Sequence, residues 1–378
     1  MKLPENLDQT LENCKQSNSF RKLPVFNNLV DFSSDDYIGF SKSEIIFRHV
    51  HAYLVENEIF ENGAASSRLI SGNHPLYQIT EDFIADFHDA ETALIFNSHS
   101  DANAGFFGAL IQENDIVLYD ELCHALIKDG IINSKAKSFK FIHNDVEDLE
   151  QLILRFSNRN IYIVIESIFS LDGDSINLEE LIILSEKYNC YLIVDESNAL
   201  GVFGEKGEGL IQYLQLHNRV FSRIISFEKG LGCYGSVVLG SLCLKEYLVN
   251  FSENLMQNTA LSPYSVATIL TAYQELKIEN KAIQKLRQNI VFFNQQKNLL
   301  GLKPMFVHSK SPIHTAIIPN SENVKHIGKQ FQEKGFDIQM ILSPRVPEGQ
   351  ERLRFCIHSY NSEEEISQIL KLLSDFVF

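Results

Sequence analysis

The sequence predicts an α/β protein, a large domain on a mostly parallel sheet followed by a smaller α+β domain at the carboxyl end. Three observations carry this. From about residue 90, short apolar runs alternate with helical stretches, as in repeated strand–helix–strand units. The runs are near-continuously apolar and β-branched, which strands covered on both faces require. Several of them end on a polar or charged residue, namely Asp120, Glu166, Asp195 and Lys229. In an open α/β sheet the ligand lies beyond the carboxyl ends of the strands, so these four are expected to converge on one crevice.

In chain order, the runs ALIFNS (93–98), DIVLYD (115–120), SFKFIH (138–143), IYIVIES (161–167), CYLIVDES (190–197) and RIISFEK (223–229) read as strands. Between them NLEELIILSEKYN (177–189) places Leu178, Leu181, Ile182 and Leu184 at helical spacing. SVVLGSLCL, after the glycine-rich stretch at 230–235, reads as one further strand. Helical segments near 264–300 would carry the chain into the smaller domain. There VKHIGKQFQEKG (324–335) reads as a helix stopped by Gly335, and FDIQMIL and ERLRFCIHS as strands. A capping box from Ser362 to Glu365 opens the last helix, with Ile366, Ile369, Leu370 and Leu373 on one face. The expected divisions are an amino-terminal segment 1–45, a large domain 46–280 and a small domain 281–378.

Composition excludes several classes. The 378 residues are 44% hydrophobic and 22% charged, as in ordinary globular proteins. A net charge of −16 argues against nucleic-acid and anionic-membrane binding. Cysteines 14, 123, 190, 233, 243 and 356 form no C-x-x-C pair, which suits reduced thiols and neither a disulfide frame nor a metal site. The opening MKLPENLDQTLENCKQ has no apolar signal core, and no apolar run reaches spanning length. A cytoplasmic location is expected.

Gly230, Gly232 and Gly235 in SFEKGLGCYGSVVLGS spell the dinucleotide fingerprint. That fingerprint must sit between a strand and a helix, whose amino end faces the pyrophosphate. A strand-like run follows here, and residue 250 is Asn where an acidic ribose ligand would stand. A bland reading is a glycine-rich hairpin with a surface lysine. Lys229 gains weight from Asp195 at the end of the preceding strand. A lysine and an aspartate so placed suit pyridoxal phosphate: the amine condenses with the aldehyde, and the carboxylate pairs with the protonated ring nitrogen. The glycines would then let backbone pass close to the cofactor.

Taken together, FNSHSDANAG, YDELCHALIKDG, FIHNDVEDLE, IESIFSLDGDSINLEEL, VDESNALGVFGEKGEG and SFEKGLG resemble the α-oxoamine synthase family in order and spacing. NNLVDFSSDDYIGF and ERLRFCIHSY extend the resemblance over nearly the whole chain. The resemblance implies a fold-type I pyridoxal phosphate-dependent transferase. It also implies a homodimer that condenses an amino acid with an acyl thioester, on coenzyme A or an acyl carrier protein, and releases carbon dioxide. L-alanine and a pimeloyl thioester are the expected substrates. By position, Lys229 would be the cofactor lysine, Asp195 the partner of the ring nitrogen, and His124 the residue stacked on the ring. Ser170 and Ser226 would offer hydroxyls to the cofactor. His99 and Ser100 would give backbone N–H groups to the phosphate, and Thr259 would reach the neighbouring subunit's phosphate. Arg354 would clamp the amino-acid carboxylate, and Arg21 would meet the far carboxylate of the acyl chain.

Departures from the family's pattern cluster at these positions. Asp35 stands where an asparagine usually helps bind the substrate carboxylate, and would set a like charge against it. Asn198 replaces a histidine, and would donate to the cofactor's phenolic oxygen without carrying charge. His99 and Ser100 replace a glycine and an aromatic residue. Glu228 replaces a small residue before Lys229, where its charge would favour the lysine's protonated form, and Asn258 replaces a hydroxyl. Such clustering leaves open a paralogue with another amino acid or acyl donor, and a catalytically retired dimer that acts by binding.

Overall fold

The protein is described by a computed structural model covering residues 3–16, 20, 23, 28–278 and 280–377. Its strands in chain order are β1 (Val30–Phe32), β2 (Thr92–Phe96), β3 (Ile116–Asp120), β4 (Lys137–Phe141), β5 (Ile161–Glu166) and β6 (Tyr191–Asp195). β7 (Ser222–Ser226), β8 (Ser236–Gly240), β9 (Ile313–Ile317), β10 (Phe336–Ile341) and β11 (Arg352–Cys356) follow. Seven of them form one sheet in the order β2-β8-β7-β6-β5-β3-β4. All its neighbours are parallel except β8, which runs antiparallel to both β2 and β7. Every residue of β5 and β7 is buried, which is why those runs show no polar alternation.

The SVVLGSLCL run is a strand only as far as Gly240. The Ser241 Oγ accepts the Leu244 N–H at 3.2 Å, capping a helix over Leu242–Phe251. A serine cap beats the apolar pattern because the helix's orphan N–H groups need an acceptor.

Helices Pro263–Ile278 and Lys281–Leu299 lead to a four-stranded sheet ordered β1-β10-β11-β9. β1 lies parallel to β10, with Val30, Asp31 and Phe32 opposite Phe336, Asp337 and Ile338. The amino-terminal segment is thus stitched into the carboxyl-terminal sheet, and this fixes the loop 33–39 beside β11. Gly335 ends the preceding helix at φ +91°. The Ser362–Glu365 box is made in both directions, at 3.2 and 2.8 Å.

The glycines after Lys229 serve the fold. A Cβ on Gly230 would strike the Leu200 carbonyl, and one on Gly232, at φ +60°, the Ser41 backbone. The turn from β7 to β8 is therefore pressed between the 200–201 bend and the 39–42 segment.

Gly232→Ala should cost ~3 kcal/mol of unfolding free energy by urea titration, combining left-handed strain with a backbone collision. Gly301→Ala, at φ +71° in open space, should cost only the ~1–2 kcal/mol of strain. Equal losses would show that the turn is not tightly packed.

Candidate active site

The site is built on two carboxylates at the ends of adjacent strands. Glu166 and Asp195 are register partners across β5 and β6 and are 2% and 3% exposed. Glu166 accepts the His124 N–H at 2.7 Å and the Ser170 N–H at 3.1 Å. Asp195 accepts the Ser197 N–H at 2.9 Å and pairs with the His99 Nε2 at 2.5 Å. Burial and then the Asp195 charge push the Glu166 carboxyl up to about 7. Burial also works against Asp195, but the charge and hydrogen bond of His99, with Lys229, outweigh it and hold Asp195 at about 2.

Lys229 follows β7 and extends its Nζ to the Asn198 Oδ1 at 2.8 Å. The buried Tyr37 hydroxyl donates to the same oxygen at 2.9 Å. The Asn198 amide nitrogen donates to the Ile168 carbonyl at 3.1 Å and approaches Glu166 at 3.4 Å. Asn198 therefore meets Lys229 with its acceptor, while its amide nitrogen is turned to Ile168 and Glu166. Ser226 is fully buried, and its Oγ accepts the Glu228 N–H at 3.3 Å. It shapes the turn that delivers Lys229. The Glu228 side chain is exposed.

His99 opens the helix His99–Leu110, capped by Ser98, whose Oγ accepts the Asp101 N–H at 3.1 Å. Just before the helix, the Asn97 amide donates to the Thr259 carbonyl at 2.7 Å. Asn254 and Asn258 both donate to Asp101, so the departure at Asn258 helps anchor this helix. Ser100 is exposed. The His124 Nδ1 accepts the Leu126 N–H at 3.2 Å. Burial, then Lys229 and His99, lower its pKa to about 4, leaving a neutral ring at pH 7.

A cavity of about 270 Å³ is lined by His124, Ser170 and Lys229 together with Asp35, Gln339, Arg345 and Arg354. Arg354, on β11, donates from Nε to the Ser170 carbonyl at 3.0 Å, from one terminal nitrogen to Gln339 at 3.1 Å, and from the other to Asp35 at 2.9 Å. Burial opposes the charged form of Asp35, yet Arg354 and Lys229 hold its pKa at about 2. Asp35 is therefore not the bare like charge the sequence suggested. It is ionised, neutralised by Arg354, and seated on one arm of the arginine's fork.

The loop bearing Ser170 is clamped from both sides. Arg352 holds both Asp172 oxygens at 2.6 and 2.8 Å, and Ser309 donates to the Gly173 carbonyl at 2.9 Å. Asp174 shares His143 with Asp120, each at 2.8 Å. Asp120, expected in the same crevice, is thus turned to His143. Tyr37 and Gln339 have no place at the site in the sequence reading, and Glu166 has only a place in the crevice without a role. Only Glu166 had a signal there, an acidic residue closing a wholly apolar strand. Arg21 lies outside the described residues.

The chain's residues fit pyridoxal phosphate on three counts. Lys229 lines the cavity, Asp195 is buried yet held as an anion suited to a ring nitrogen, and the Ser98-capped helix has an amino end of the kind that suits a phosphate. Sheet, lysine and buried aspartate together define a pyridoxal phosphate enzyme of fold type I. The family model for aminotransferases of class I and II matches residues 27–373. The 8-amino-7-oxononanoate synthase of Emericella nidulans is 33% identical, over 99% of this chain and 96% of its own length. A putative enzyme of that name from Geobacillus kaustophilus is 35% identical, over 92% and 88%.

Among solved structures, 8-amino-7-oxononanoate synthase of Francisella tularensis superposes with TM-score 0.80 at 26% identity, over 92% of this chain and 98% of that one. The fold is also that of Sphingomonas wittichii serine palmitoyltransferase, with TM-score 0.90 at 23% identity over 100% and 98%. The chain belongs to the aminotransferase class I and II family, in its α-oxoamine synthase branch. It is a pyridoxal phosphate-dependent acyltransferase similar to 8-amino-7-oxononanoate synthases.

Against the cost of burial, the two carboxylates raise the His143 pKa from 6.5 to about 10. A raised folded-state pKa adds stability that is complete below pH 6.5 and lost as pH rises to about 10. His143→Gln should therefore lower the urea midpoint at pH 6 and flatten its decline between pH 6.5 and 10. An unchanged pH profile would refute the ion-pair assignment.

Proposed function

We propose that this chain condenses L-alanine with a pimeloyl thioester, on coenzyme A or an acyl carrier protein, to give 8-amino-7-oxononanoate for biotin synthesis. The alanine Cα bonds to the acyl carbon, the thiol departs, and the alanine carboxyl leaves as carbon dioxide. The supporting observation is that Lys229, His124 and Arg354 line one cavity, with Asp195 buried as an anion on the neighbouring strand, in a chain whose relatives carry that name. Bound pyridoxal phosphate supplies an aldehyde that captures the amine and a ring that withdraws electrons from the Cα. Lys229 holds the cofactor and moves the Cα proton, with Asn198 and Tyr37 fixing its direction. Asp195 keeps a negative charge for the ring nitrogen, and neutral His124 offers a flat face. Arg354 meets the amino-acid carboxylate.

Homodimerisation belongs to this reading. Exposed Ile45, Phe47, Phe60, Ile70 and Ile79 lie on or beside the helices Glu44–Glu56 and Pro75–Phe87, which suits burial against a second copy. A cytoplasmic site is proposed from the absence of disulfides among the described cysteines.

Carboxyl-labelled alanine with pimeloyl-CoA should release labelled carbon dioxide in step with a product of the mass of 8-amino-7-oxononanoate. Release with a different amino acid alone would favour the second reading, a paralogue with another amino substrate. The Asp35–Arg354 pair is what favours it. Asp35→Asn should free one arm of Arg354 and tighten alanine binding ~10-fold, as a charged hydrogen bond is worth. Spectral titration with alanine would measure this. Weaker binding would mean that Asp35 itself reads the amino substrate.

A further inference from the structure

The His99 imidazole holds a position where the family's usual glycine has no side chain. Its Nε2 lies 2.5 Å from the Asp195 Oδ2, and the Ser197 N–H takes the other oxygen. The imidazole is 5% exposed, so this contact is made away from water. Its placement there is held by Asp195 alone among the side-chain partners described.

The backbone below it is fixed. Ser98 caps the helix, Asn103 donates to the His99 carbonyl at 2.9 Å, and Asn254 and Asn258 hold Asp101. Only the imidazole itself is left to move. Its ring centre is 6.1 Å from that of His124, with 31° between the planes. A flat ring between two others needs about 7 Å, two contacts of ~3.5 Å. A ring nitrogen approaching the Asp195 Oδ2 would need the position the His99 Nε2 fills.

We propose that His99 is an internal occupant of the cofactor's ring-nitrogen position on Asp195, displaced each time a phosphorylated pyridine binds. The proposal rests on the pyridoxal phosphate reading and adds to it a competition built into the chain. Apparent cofactor affinity is lowered by the fraction of molecules in which His99 covers Asp195. The closed state keeps a buried carboxylate paired when no cofactor is present.

The test is equilibrium dialysis of the full-length apoprotein with two probes. Pyridoxal 5'-phosphate reports the whole site, and pyridoxine 5'-phosphate, which lacks the aldehyde, reports the ring and phosphate positions without Lys229. His99→Gly and His99→Ala should each bind both probes at least 10-fold tighter than the parent. Alanine is included because it supports the helix, so a folding defect in the glycine variant does not decide the matter. In the parent, the imidazole N–H resonance of the His99–Asp195 bond should vanish as pyridoxine 5'-phosphate saturates. Equal or weaker binding by both variants, or a resonance that persists at saturation, overturns the proposal while leaving the cofactor reading intact. No binding to any of the three proteins overturns both.

Discussion

Two carboxylates placed side by side in the sheet govern the rest of the site. Glu166 and Asp195 are hydrogen-bond register partners on adjacent strands, and neither has access to solvent water. Two bare charges there would be intolerable, so the surroundings divide their roles. His99 and Lys229 keep Asp195 ionised, while Glu166 is pushed towards its neutral form. The donors that satisfy Glu166 come from the loops carrying His124, Ser170 and Asn198. Electrostatic satisfaction of the pair thereby sets the geometry of the loops that surround the cavity.

The second sheet closes the site from the other side. β1 pairs with β10, and this sets the 33–39 loop beside Arg354 on β11. Asp35 and Tyr37 enter from that loop, one on the arginine and one on Asn198. Arg354, the lysine and the 33–39 loop are consequently one hydrogen-bonded chain. A change at Asp35 is felt at Arg354 directly and at Lys229 through their charges. The turn glycines complete the arrangement by letting the Lys229 loop pack against Ser41 and Leu200.

Much of this was legible in the sequence, and the illegible parts share a cause. Periodicity and apolar runs located the six strands from β2 to β7; the inner ones, buried on both faces, leave a strong local signature, whereas the edge strand β4 is only partly covered. Position along those strands identified Lys229 and Asp195. What local patterns do not carry is the partner of a polar side chain. Asp35 meets Arg354 across 319 residues and His99 meets Asp195 across 96. The orientation of Asn198 is likewise set by Ile168, Glu166 and Tyr37, none of them a neighbour in sequence. The serine that caps Leu242–Phe251 was readable in principle, but the apolar run around it concealed the helix start.

The central claim is that Lys229, among the lysines near the cavity, is the residue that holds the cofactor. Lys128 also lines that cavity and is the natural competitor. Borohydride reduction of the protein saturated with pyridoxal phosphate, followed by peptide mapping, separates the two. The account predicts one pyridoxyl adduct, on the peptide containing Lys229. An adduct on Lys128 or elsewhere, with Lys229 unmodified, would contradict it.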